Sequence, residues 1–118
     1  MKTRAEKVAH ELQREIAAIV RDDVQDPRIG FVTITRVHIT DDLGSARVWF
    51  SSLGTASQRK GSLIGLQRAV GFVRKLVAER MKLRIVPEIV FEYDASLEAG
   101  NDVLTMLDAL KTGQSKPA

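Results

Sequence analysis

Arg68, Lys75 and Lys82 stand seven residues apart, with Arg74 beside the second of them. Seven residues is close to two helical turns, so on a helix these cations would share one face and could meet phosphates in line. The surroundings sharpen that reading. Residues 59–84 hold eight Lys/Arg (Arg59, Lys60, Arg68, Arg74, Lys75, Arg80, Lys82, Arg84) against Glu79 alone, whereas residues 85–118 hold two against six Asp/Glu. The net charge of +3 is modest. Its distribution implies a surface with one positive side, which attracts phosphate-rich partners. A solvated helix face is the plain alternative, and the scarcity of acidic neighbours weighs against it. Arg80 and Arg84 rank lower because Glu88 or Glu92 could pair with them. Trp49 shares a strand face with Arg47 and could stack a base, although a half-covered tryptophan on a sheet needs no ligand.

Other chemistries find little support. The chain has no cysteine, which excludes disulfides, thiol nucleophiles and thiolate metal sites. His10 and His38 fall in elements of different type, so a metal held by both would need a coincidence in space. Asp22, Asp23 and Asp26, and the pair Asp41 and Asp42, sit where turns and helix ends are expected, and there aspartates serve as local hydrogen-bonding caps. Ser51 and Ser52 lack a histidine in any recognisable arrangement, and no glycine loop ends in Lys-Ser/Thr. No catalytic residue, metal or cofactor, and no small-molecule substrate, is therefore expected. The amino terminus is charged throughout and no apolar run approaches membrane-spanning length, so a cytoplasmic protein with no membrane partner is expected.

The elements that must position the basic segment can be read from periodicity. Thr3 followed by Glu6 has the form of a capping box, and Val8, Leu12, Ile16, Ile19 and Val20 recur at helical spacing to near Asp23. Asp26-Pro27-Arg28 and Gly30 are turn chemistry. Phe31–Ile39 alternates as a strand, but Val32 and Ile34 have the opposite parity to Val37 and Ile39, which predicts a bulge near Thr35 and Arg36. Asp41-Asp42-Leu43-Gly44 turns the chain into a second strand through Ala46, Val48 and Phe50. A helix starting at Thr55 or Ser57 carries Gly61, Gly65 and Gly71 inside its pattern, and a break or kink is expected at Ala69-Val70-Gly71. Pro87 opens a third strand with Ile89, Phe91 and Tyr93 on one face. Asn101 or Asp102 would cap a last helix through Val103, Leu107 and Leu110. The expectation is an α+β fold, helix-strand-strand-kinked helix-strand-helix, with a three-stranded mixed sheet and helices on one face. Residues 1–112 would form one domain and 113–118 a polar tail.

That order of elements is that of a type II K-homology (KH) domain, and the sequence resembles the ribosome-binding factor A family. The resemblance spans nearly the whole chain: Asp26-Pro27-Arg28, the hairpin from Asp42 to Val48, Ala69 to Arg74, Arg80 to Glu88, then Phe91, Asp94, Ser96 and Gly100. K-homology domains clamp nucleic acid with a Gly-x-x-Gly loop between two helices. That loop is absent here, and Ala69 and Gly71 match the interhelical Ala-x-Gly kink of the family instead. The resemblance implies a non-catalytic monomer that assists late maturation of the 30S ribosomal subunit and 16S rRNA processing. It would bind the free 30S subunit near the 5′ terminal helix of 16S rRNA, and Ala69 and Gly71 of the kink join Arg68, Arg74, Lys75 and Lys82 of the basic face as the expected RNA-binding residues. The contrasting reading is a small regulatory or oligomerisation module whose open sheet face, carrying Trp49 and Val90, meets a protein.

Overall fold

The Thr3 hydroxyl accepts from the Glu6 amide at 3.1 Å while the Glu6 carboxylate accepts from the Thr3 amide at 3.3 Å, so the capping box closes in both directions. In this computed structural model, which describes residues 3–96, helix α1 follows over Arg4–Asp22. It buries Ala5, Ala9, Leu12, Ile16, Ile19 and Val20, one stripe at helical spacing.

Strand β1, Val32–Ile39, pairs antiparallel with β2, Ser45–Ser52. The register slips between Ile34 and Arg36, so the expected bulge is present at Thr35. Its consequence is chemical as well as geometric. The freed Thr35 carbonyl accepts from Gln13 of α1 at 3.3 Å, and Arg36 is brought opposite Trp49. Strand β3, Glu88–Tyr93, lies parallel to β2, giving the mixed order β1-β2-β3. Ile34, Ile39, Ala46, Val48, Phe50, Ile89 and Phe91 face the helices and are buried with them in one core.

Helix α2 supplies the parallel crossover between β2 and β3. Thr55 caps it with a second reciprocal box to Gln58, at 3.2 Å and 2.7 Å. It runs over Ala56–Met81 and ends at Lys82, whose backbone is left-handed. Ala69, Val70 and Gly71 lie inside this one continuous α-helix, so the chain does not break there. Two of the glycines have a different task. Asp26-Pro27-Arg28-Ile29 lies across the first half of α2, where the Ser62 hydroxyl donates to the Ile29 carbonyl at 2.5 Å. A Cβ on Gly65 would stand 2.7 Å from Ile29 Cγ1, and one on Gly61 would stand 3.6 Å from the Arg28 carbonyl oxygen. Gly61, Ser62 and Gly65 thus form a seat for the turn, whose packing offsets the weak helix propensity of glycine.

Gly71 is different, because a Cβ there would meet nothing within 4 Å. Two alanine substitutions should then act in opposite directions. Gly65→Ala is expected to lower thermal stability through the clash with Ile29, and Gly71→Ala to raise it by about 0.5–1 kcal/mol. Thermal melts of the two variants check this. The last helix expected after Asn101 and the tail 113–118 lie outside the described residues.

Candidate nucleic-acid interface

With one side of α2 closed against the sheet, its outer side carries Lys60, Ile64, Arg68, Gly71, Phe72 and Lys75, all exposed. Arg68 and Lys75 stand two turns apart, on the order of 10 Å along the axis, and Lys82 lies just past the helix end. Gly71 lies between the first two with open space at its α-carbon. Among the described residues, Lys75 and Lys82 enter no ion pair. Arg68 contributes to a local field: Asp26, held down at about 2 by hydrogen bonds from the Arg28 side chain and amide, also feels the positive charge of Arg68.

Lys82 carries its charge at a cost. Its φ of 52° and ψ of 39° place it in the left-handed region, a position that closes a helix most easily when occupied by glycine.

Two of the residues expected at the surface turn elsewhere. Ala69 is half-buried and packs on the core, so of the Ala69–Gly71 pair only Gly71 faces outward. Arg74 is half-buried and donates Nε to the Pro87 carbonyl at 3.1 Å and Nη2 to the Val86 carbonyl at 3.0 Å. It fastens the entry of β3 to α2. Arg74→Ala should consequently cost about 2 kcal/mol of stability, the range for hydrogen bonds made by a charged donor. The salt dependence of RNA binding should stay unchanged, as equilibrium unfolding and a binding titration would show.

Arg80 is also committed, though not to Glu88 or Glu92. Its Nη2 lies 2.6 Å from Asp23 and its Nη1 4.0 Å from Glu15, which joins α2 to α1. Arg84 remains exposed. The other aspartates likewise serve local structure: Asp22 pairs with Arg21 at 2.9 Å, and Asp42 accepts from the Gly44 amide at 2.9 Å in the hairpin turn.

The open face of the sheet holds Trp49, but that ring is already occupied. The Arg36 guanidinium lies 3.9 Å from its centroid, and Arg47, at 5.8 Å on the same ring, pairs with Glu92 at 3.4 Å. Arg36 and Arg47 are turned inward on the protein's own side chains, unlike Lys75 of α2 among the described residues. One feature of the α2 face was missed from sequence: Phe72, 44% exposed, follows Gly71 directly and stands one turn from both Arg68 and Lys75. A helical projection carried one residue beyond the Ala-x-Gly string would have placed it among the cations.

Known proteins share both this sequence and this architecture. The family model of ribosome-binding factor A matches residues 4–107. The ribosome-binding factor A of Desulfitobacterium hafniense is 46% identical over 115 residues, 98% of this chain and 92% of that protein. The solution NMR structure of a Thermotoga maritima ribosome-binding factor A protein superimposes with a TM-score of 0.66 at 35% identity, covering 73% of this chain and 82% of that one. A homology model of the Thermus thermophilus ribosome-binding factor A, fitted into a cryo-electron microscopy map of its 30S complex, gives a TM-score of 0.65 at 22% identity over 75% and 93% of the two chains. The last likeness carries the fold alone. The two-helix, three-stranded mixed α+β arrangement is KH-like, and on sequence and fold together the chain belongs to the ribosome-binding factor A family.

Proposed function

We propose that this chain binds the free 30S ribosomal subunit through the outer face of α2 and assists its late maturation, including 16S rRNA processing near the 5′ terminal helix. It does so without catalysis, as a cytoplasmic monomer whose residues 1–112 form one domain. The family and the 30S complex of the Thermus relative support ribosome binding as the coarse function. One observation carries the surface: Arg68 and Lys75 stand exposed on one helix face around an open Gly71 with exposed Lys82 at the helix end, while other basic side chains such as Arg74 and Arg80 are spent on internal partners. A long cationic strip suits structured RNA read by shape and backbone charge, and the absent Gly-x-x-Gly loop removes the usual single-strand clamp.

Co-sedimentation with purified free 30S subunits across a salt series tests the proposal. Three phosphate contacts predict a log-log slope of roughly −2 to −3, and hydroxyl-radical footprinting should place protection near the 5′ terminal helix. Salt-independent binding, or protection confined to ribosomal proteins, would reject it.

A further inference from the structure

Among the described residues, Phe72 takes no part in the core. It is 44% exposed, and it stands between Arg68 four residues before and Lys75 three residues after, beside the open backbone of Gly71. Cations alone would suffice to bind a duplex backbone. A phenyl ring adds nothing to phosphate attraction, and its exposure in water is unfavourable. Its π-face does match one group that RNA offers beside phosphates, the face of a base. In a continuous duplex those faces are stacked and hidden, so the ring can be used only where a base is unpaired.

We infer that Phe72 is a stacking residue for an unpaired nucleotide, making the α2 face specific for structured RNA interrupted by a bulge, loop or single-stranded end. This deepens the RNA-binding reading above and rests on it. The spacing suits the assignment. Arg68 and Lys75, on the order of 10 Å apart, can meet phosphates on either side of a nucleotide whose base lies over Gly71 and Phe72. Gly71 without a Cβ leaves room for the sugar and base to approach the helix. Ile64, 38% exposed one turn before Arg68, extends the apolar surface toward a neighbouring sugar or base.

The test uses the full chain and two RNA hairpins of equal length. One is fully paired, and the other carries a single bulged 2-aminopurine. Wild type should bind the bulged hairpin about 10-fold more tightly than the paired one and change the 2-aminopurine fluorescence, the scale expected of one base–aromatic stack. Phe72→Leu should bind the paired hairpin as wild type does yet lose the preference, and Phe72→Trp should restore it. Equal binding of both hairpins by wild type, or a preference that survives Phe72→Leu, overturns the inference. The double variant Arg68→Gln/Lys75→Gln separates the two levels. It should weaken both hairpins while leaving their ratio intact, and unweakened binding would overturn the cationic surface itself.

Discussion

Exchanging Arg68 and Lys75 for glutamine and Lys82 for glycine in one chain is expected to weaken binding to free 30S subunits about 100-fold at 0.1 M salt, and hardly at all near 1 M. The magnitude follows from counterion release, since each lost phosphate contact removes roughly 0.7–0.9 from the log-log salt slope. Three contacts then account for on the order of two decades over a tenfold change in salt. Lys82→Gly makes the experiment decisive. The left-handed backbone at residue 82 suits glycine better than lysine, so this substitution should help the fold while it removes the charge. Among the described residues, the glutamines replace exposed side chains with no ion-pair partner at Lys75 and only a distant one at Arg68, Asp26. A variant that melts at or above the wild-type temperature and yet loses its salt-dependent binding cannot have lost it by unfolding. Retained affinity with an unchanged slope would show that the strip is a solvated face.

Gly71→Ala offers an independent view of the same surface. Nothing among the described residues opposes a methyl group there, so a loss of affinity accompanied by higher stability would locate RNA against the α-carbon of residue 71. Opposed effects of this kind mark a residue kept for function at some expense to the fold.

What the sequence made legible follows from range. Both helix starts are local chemistry: Thr3 with Glu6 was read in full, and Thr55 with Gln58 forms the same reciprocal cap three residues apart. The bulge was legible because Val32 and Ile34 disagree in parity with Val37 and Ile39, and the slip lies where that disagreement requires it. A further reason for the glycines in the first half of α2 is non-local. Periodicity shows that Gly61 and Gly65 weaken a helix, but only the fold shows a turn some 35 residues earlier resting on them. Arg74 and Arg68 look alike in sequence. The difference between them is the carbonyl pair of Val86 and Pro87, which comes within reach only after β3 has docked. For the same reason Arg80 found Asp23 and Glu15 on α1 instead of the acids nearer in the chain.

Asp94 carries the largest expected effect on stability. Only 4% exposed, it ends β3 and ties the sheet together across its full width. Its amide donates to the Phe50 carbonyl of β2 at 2.7 Å, and one carboxylate oxygen accepts from the bulged Thr35 of β1 at 2.6 Å. The other accepts from the Ser96 hydroxyl and, at 3.0 Å, from the Ser96 amide. Those donors hold its carboxyl below the ordinary carboxylate range, Ser96 contributing most, then Thr35, with a smaller pull from Arg36. Asp94→Ala leaves the Thr35 and Ser96 donors without their acceptor and is expected to cost about 3 kcal/mol at pH 7. For a domain of this size that corresponds to a fall of about 15 °C in Tm. The pH dependence fixes the cause. A carboxylate with a depressed folded pKa stabilises above its unfolded value, about pH 4, and loses that stabilisation as pH falls through the folded value. The gap between wild type and Asp94→Ala should therefore be constant above about pH 5 and narrow below about pH 4, as the wild type gives up its charged hydrogen bonds. Asp94→Asn keeps one acceptor and no charge, and should fall between the two at neutral pH. Chemical unfolding of all three proteins from pH 7 to pH 3 measures the gap, and a difference that stays constant throughout would mean that packing, not the carboxylate, is what Asp94 supplies.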